Sequence, residues 1–564
     1  MKAATSKSAL AAASPSSALD PPTPPITLLH NDTGRMSPRT RSQAGGAGST
    51  STSSTATAKS RPKGINGEEE GVEEEGMGLL PFVNPFYVLL ALVVAVGSGI
   101  SHQILHGPFH PVTWQDPPEL VVLPVNHNLE GAEHLFLNQV VGPESIAMGS
   151  NDELYLSLND GRVVRTDSKY RHMTTVFFTG GVIKAEEAAA AATGEAGGVL
   201  PNGENEKELM AWCSAEMDAM RFSTPTETKC GRPLGLRFVS ESNLLYIADA
   251  YHGIFTLDAT TLLVQHLVTP SAPSSLPSSS SSSPLHPGIA LPLRFTNDLD
   301  IIPNTGGDFL FSDSTWGWSR AEHAVDILDG APRGRLFRYV ARKKEIEPII
   351  CGLHFANGVQ CLGEVKEVGS KGWLPHYVLV VESTRFRILK VDLWAWAEEG
   401  GEGGREEALR DYCEEGSGYP PFLSAFVEGL PGLPDNIRLH HQEEGGREGG
   451  LLGGEGGEDN VLLFGMGAKN AQPFALLQFL YQRPWLRLVL GAIVPLKYFH
   501  TFMPKYGLGG VLSLEGKLLR VLQDPSGRTP FVSEVHVHPK SGDLLLGSFR
   551  NRFVGKVTLS ALEQ

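Results

Sequence analysis

Cysteine is scarce in this chain: five residues in 564, with no C-x-x-C pair among them. That excludes a disulfide-dense scaffold and the usual spacing of a zinc site. Positive charge is also in short supply. Lysine and arginine total 47 against 63 aspartates and glutamates, a formal net charge of -16. The balance argues against a nucleic-acid partner, which needs a clustered basic surface. Much of the acidic excess lies in the runs Glu68–Glu75, Glu398–Glu407 and Glu443–Glu458, which read as solvated insertions rather than a binding face. Long amphipathic helices are missing as well, and no N-x-S/T sequon follows Ile100.

Residues 1–77 are Ser, Thr, Ala, Gly and Pro with almost no apolar period, which predicts a disordered tail. Leu79–Ile100 then runs without a charge, about the length of a spanning helix. Pro81, Asn84 and Pro85 crowd its start, so the dependable helix is nearer Phe86–Ile100. Basic residues precede the run, and none follows until Arg162. The positive-inside rule therefore predicts a single-pass type II anchor with a cytosolic tail and a lumenal or extracellular domain, in the endoplasmic reticulum, another endomembrane or the plasma membrane.

From Glu119 onward, short β-rich runs alternate with Gly, Asn, Asp and Pro turns. One pattern of strand, turn and strand recurs six times, beginning at Pro143, Arg232, Thr296, Ala356, Pro434 and Val532. Repeated meanders that protect their edges by closing a ring make a β-propeller. The expected fold is thus all-β, a six-bladed propeller over residues 116–564, with Glu119–Val125 as the strand completing the last blade. Insertions fall near 185–208, 271–288, 398–416 and 442–458. A further insertion, 473–506, is strongly apolar but carries Arg483, Arg487 and Lys497, which suits a lid or two packed helices better than a second span.

The innermost strands of a propeller line one axis, so residues leading into them converge. At that position the six copies carry Glu144, Leu234, Asn297 with Asp298, Asn357, Asp435 with Asn436, and Glu534. Singly, Asn or Asp before a strand is a turn residue. Five oxygen-bearing side chains in one register instead suggest a hard-cation site, and Ca²⁺ is the expected cofactor. His536 and His538 alternate on one strand, and Trp316 and Trp318 are candidates for an apolar wall.

The motifs GPES at Gly142, CGRPLGLRF at Cys230, FTNDLDI, SDSTW, GRLFRY at Gly334, FANGV, VVEST, GLPGLPDNIRL and RPWLR together resemble the strictosidine synthase-like family over Asp116–Leu559. Its wider superfamily includes the paraoxonases and gluconolactonases, calcium-dependent esterases and lactonases. The resemblance implies calcium ligands at Glu144, Asn297, Asn357, Asp435 and Asn436. The paraoxonase catalytic histidine falls near Leu234, where there is none, whereas the catalytic glutamate of strictosidine synthase falls on Glu534. Three functions follow as expectations: an arylesterase-like hydrolase of small esters or lactones, a lyase condensing an amine with an aldehyde through Glu534, and a tethered binding scaffold. The family pattern of a cysteine before CGRP also supports a Cys213–Cys230 disulfide; Cys351 and Cys361, which flank FANGV on adjoining strands, are expected to be free, buried thiols.

Overall fold

The computed structural model describes residues 85–113, 119–121, 124–181, 204–219, 223–270, 291–398, 420–441, 460–470, 476–494 and 503–558. The predicted tail and the insertions 271–288 and 442–458 lie outside them, as do nearly all of 185–208 and 398–416.

Among the described residues, twenty-four strands form six four-stranded antiparallel sheets. Inner strands are Ile146–Met148, Pro233–Val239, Thr296–Ile301, Ala356–Glu367, Gly432–His441 and Glu534–Val537, for blades 1 to 6 in chain order. Many middle strands are buried on both faces, as in Phe309–Asp313 and Leu154–Ser157. Each sheet is packed between two neighbours, so both faces of a strand need apolar residues and simple alternation is lost. Between blades 1 and 2, Tyr155, Val163 and Phe177 meet Leu236, Ile247 and Phe255.

The ring closes through a strand other than the one expected. Glu133–Leu135 pairs with Val554–Val557 and completes the last blade from the N-terminal side. Glu119–Val125 does not complete it; Val121 N–H donates instead to the Gly429 carbonyl (2.7 Å). Both stretches are short and β-compatible, and only the ring geometry chooses between them.

The uncharged run carries a helix over Pro85–His106, close to the expected start at Phe86 and continuing past Ile100. Among the described residues no helix is long and apolar enough to cross a membrane. The apolar insertion holds two helices, Leu476–Tyr481 and Pro484–Ile493. Pro484 opens the second, because a first-turn residue has no intrahelical use for its N–H. Arg487 is buried there and donates to the carbonyls of Leu328 (2.5 Å) and Asp329 (3.1 Å), while Tyr481 Oη donates to Ile327 O (2.6 Å). The insertion is therefore pinned to the helix His323–Asp329.

Cys213, on helix Glu204–Asp218, is bonded to Cys230, the last residue of helix Thr224–Cys230. Cys361 is a free buried thiol. Cys351 is not: it is disulfide-bonded, to a partner outside the described residues. Their places on either side of FANGV suggested two like thiols, but the fold bridges Cys351 and leaves Cys361 free.

Candidate functional site

In four of the six inner strands the sheet register shifts at the residues singled out from sequence. The shifts lie between Pro233 and Leu236, Thr296 and Leu299, Ala356 and Val359, and Pro434 and Ile437. A bulge of this kind interrupts the ladder and re-aims side chains, a recurrent device beside functional sites. Here it brings Asn297, Asn357 and Asp435 to one end of the axis, together with Glu144 from blade 1. The blades approach closely at this level. A Cβ on Gly235 would lie 2.4 Å from Asp298 Oδ1, and one on Gly358 would lie 2.6 Å from the Asp435 carbonyl.

Serine hydroxyls join blade to blade beneath the site. Ser157 Oγ donates to Leu234 O (2.7 Å), Ser312 Oγ to Asn357 O (2.6 Å), Ser383 Oγ to Pro434 O (2.6 Å) and Ser533 Oγ to Glu144 O (2.7 Å). Serines also orient the amides. Asn297 Nδ2 donates to Ser314 Oγ (2.8 Å) and Asn357 Nδ2 to Ser383 Oγ (3.2 Å). With their nitrogens engaged, both amides present oxygen to the axis.

Glu144, Asn297, Asn357 and Asp435 share a cavity that is partly open to solvent. Its wall is apolar, with Phe295, Ile327, Phe355, Leu433, Met503, Phe531 and Phe549, and it also carries Arg320, His323 and Arg550. Asn297 Oδ1, Asn357 Oδ1, Asp435 Oδ1 and Asn436 Oδ1 are buried without a hydrogen-bond partner. Buried oxygens left unpaired cost free energy, and the three from cavity-lining residues, Asn297, Asn357 and Asp435, fit a cation's coordination shell, whereas Asn436 leaves its Nδ2 unpaired as well as its Oδ1. Asn436 stands behind the cavity wall, fully buried. Burial, reinforced by the charge of Glu144, holds the Asp435 carboxyl well above the usual carboxylate range. Among the described residues no cluster of three or more His, Cys, Asp or Glu is arranged for a metal. The candidate set has two carboxylates and three amides, a donor mix that suits Ca²⁺ rather than a transition metal.

Two arginines stand beside these carboxylates. Arg232 Nη2 donates to Glu144 Oε2 (2.6 Å), and Arg320 faces Glu227 at 3.3 Å. Burial pushes Arg232 down to about 10, against the pull of Glu144. Arg320 moves up, because Glu227 and then Glu144 outweigh its burial.

Glu534 is not in the cavity wall. It is fully buried and accepts from Ser145 Oγ (2.8 Å), Ile146 N–H (3.2 Å) and Arg438 Nη2 (2.5 Å). Arg438 also grips Asp298 (2.8 Å), and Arg237 faces both Asp298 (3.6 Å) and Asp300 (3.1 Å). These groups form an ionic plug along the axis, and Asp298 belongs to it rather than to the oxygen cluster. Burial raises the Glu534 carboxyl even though Arg438 opposes it. His538 Nδ1 accepts the N–H groups of Lys540 (3.2 Å) and Ser541 (3.1 Å), a turn role. Neither Trp316 nor Trp318 lines the cavity; Trp318 Nε1 donates to Asp329 (3.1 Å).

Sequence reasoning missed His323, which opens the helix His323–Asp329 and faces the cavity. Its Nδ1 donates to Arg320 O (3.0 Å), so the neutral ring carries its lone pair on Nε2. No repeat register marks it, because it comes from a blade-3 connection. Arg232 was passed over for the same reason: it precedes the inner strand and reads as a surface charge.

A six-bladed ring with an axial oxygen cluster defines a class of propeller, and sequence comparison specifies it. The family model "Strictosidine synthase-like, N-terminal" matches residues 122–166, and "Strictosidine synthase" matches residues 297–393. The Bos taurus adipocyte plasma membrane-associated protein is 30% identical over 479 residues, covering 84% of this chain and 87% of its own. Its Homo sapiens counterpart is 29% identical over 486 residues, covering 84% and 90%. Strictosidine synthase-like 13 of Arabidopsis thaliana is 28% identical over 398 residues, covering 70% and 75%. The chain belongs to the strictosidine synthase-like family.

Proposed function

We propose that this protein is a membrane-tethered, calcium-dependent hydrolase of small esters or lactones. The observation that carries the reading is the group of four buried side-chain oxygens without partners, three of them from cavity-lining residues. Glu144, Asn297, Asn357, Asp435 and Asn436 would hold the cation, which when bound supplies Lewis-acid polarisation of a carbonyl. The aromatic and aliphatic wall receives the apolar part of the substrate and limits water. His323 is placed to take a proton from water through Nε2, its tautomer fixed by the Arg320 carbonyl. The lyase reading needs Glu534 to exchange protons with a substrate, and its place in the ionic plug lends that no support.

Tethering is the second part of the proposal. Helix Pro85–His106 exposes Leu89, Leu92, Val93, Val94 and Val96, and it packs against helix Pro484–Ile493, which exposes Trp485 and Ile493. Exposed apolar side chains on two packed helices, a tryptophan among them, suit a bilayer interface. The Bos taurus and Homo sapiens relatives carry "membrane-associated" in their names. The Cys213–Cys230 bridge favours an oxidising compartment, which agrees with a lumenal or extracellular propeller.

Calcium titration of the full-length protein by thermal melting, before and after chelation, tests the cation. A ligand bound only to the native state at a hundred times its Kd adds about 2.7 kcal/mol. A melting temperature that ignores millimolar calcium sinks the cation site, and a panel of phenyl esters and lactones on the same sample tests hydrolysis.

A further inference from the structure

Glu144 is the one proposed ligand already committed to a positive charge. Arg232 Nη2 donates to its Oε2 at 2.6 Å, and the arginine is completely buried. Arg232 is also held from three other directions. Its N–H donates to Asp249 Oδ2 (2.7 Å), and its Nη1 donates to Pro233 O (3.1 Å). The residue before it, Gly231, has φ +80, and a Cβ there would lie 1.8 Å from Thr179 Oγ1. Immediately upstream Cys230 is bridged to Cys213. The backbone that carries the guanidinium is therefore fixed, and the buried guanidinium itself is held by Glu144 and the Pro233 carbonyl.

The same disulfide-pinned helix supplies a second guanidinium indirectly. Glu227 lies within helix Thr224–Cys230, receives Tyr251 Oη (2.8 Å) and holds Arg320 at 3.3 Å in the cavity wall. Both arginines thus stand beside the proposed ligands because one short covalently fixed element puts them there.

We propose that Arg232 sets the cation affinity of this site, acting as a resident counter-charge on Glu144 against which calcium must bind. The inference rests on the calcium reading above. A cation coordinated by Glu144 shares the carboxylate with a fixed positive neighbour, and close charge pairs at buried sites couple strongly. The site is therefore expected to fill only at calcium concentrations of about 0.1–1 mM, the range of extracellular modules rather than cytosolic sensors. Without calcium, Arg232 keeps Glu144 paired, so the propeller stays folded.

The test is calcium titration of the full-length wild type, Arg232→Met and Arg320→Gln, followed by thermal melting and by isothermal titration calorimetry, with circular dichroism as the check on folding. The expected result is a calcium midpoint lower by about tenfold or more in Arg232→Met. A smaller change in the same direction is expected in Arg320→Gln, which keeps the proposal testable if the first variant does not fold. Midpoints unchanged or raised in the folded variants would overturn the role of Arg232 and leave the calcium site standing. No calcium response in wild type or any variant would overturn both.

Discussion

At the scale of single residues, the site depends on amides whose nitrogens are occupied. Ser314 and Ser383 take the Nδ2 groups of Asn297 and Asn357, so the oxygens are turned to the axis before any ligand arrives. Asp435 adds a carboxyl that burial keeps protonated well above the usual range. Its folded pKa exceeds the unfolded one, so its contribution to stability is full at low pH and lost as pH rises through the folded value. Asp435→Asn should therefore melt at or above the wild-type temperature at pH 8 without calcium, yet lose the calcium-induced rise. A calorimetric scan with and without chelator reads both effects. Cation binding to the wild type should release protons and strengthen with pH, because the ligand must ionise. His354 illustrates the opposite sign. It donates to Gly330 O (2.9 Å), receives Arg385 Nη2 (3.2 Å), and is pushed down to about 3 by burial and the nearby arginine. The unfolded chain takes up the proton near pH 6.5, so stability is full above that value and declines as pH falls toward 3. Denaturation of His354→Gln followed from pH 7 to pH 4 should show a shallower acid slope than wild type, even if its stability at pH 7 is lower.

At the scale of elements, the bulged inner strands were half legible. The Asn-Asp, Asn-Gly and Asp-Asn pairs stand out in the sequence, and their common register pointed to one axial level. Which member of each pair faces the cavity was not legible, since a bulge sends neighbouring residues to different environments: Asn297 to the cavity and Asp298 to the Arg438 plug. Glu534 was misplaced for a related reason. Its strand carries no register shift, so its carboxylate stays with Ser145 and Arg438. The bridge between the helices Glu204–Asp218 and Thr224–Cys230 closes a loop with a sequence separation of 17. Replacing both cysteines by serine should lower stability by roughly 3 kcal/mol, measured by denaturant unfolding. The apolar flank makes a separate prediction. Trp485→Glu combined with Ile493→Glu should reduce retention of the protein on lipid vesicles without changing its melting temperature, because both side chains are exposed. Retention unchanged by the pair would place the membrane contact elsewhere.

At the scale of the whole molecule, six sheets are held by the interdigitation of their faces and by one noncovalent clasp. The strand Glu133–Leu135 ties the N-terminal side of the domain to Val554–Val557 near its end, and His134 stacks on Phe553 with centroids 3.5 Å apart. His134→Pro removes that stacking and puts a proline in the clasp strand. Unfolding in urea should then show a loss of roughly 1–3 kcal/mol, and a domain as stable as wild type would mean that the clasp is dispensable.

By itself the sequence determined the number of blades, the strand pattern within each and the axial level of the oxygen-bearing residues, while the Cys213–Cys230 pairing came from the family resemblance. These follow from local chemistry that repeats: turn residues, β-rich runs and one register read six times. Only the tertiary structure decided which strand closes the ring, that Cys351 is bridged, that His323 and Arg320 reach the cavity, and that Glu534 and Asp298 belong to an ionic plug. Those outcomes depend on contacts between segments tens to hundreds of residues apart, where charge pairing and packing select among locally equivalent choices. Arg232 shows the difference most plainly. As a residue it is a charge before a strand; in the folded ring, 88 positions from Glu144, it is the counter-ion of the proposed cation site.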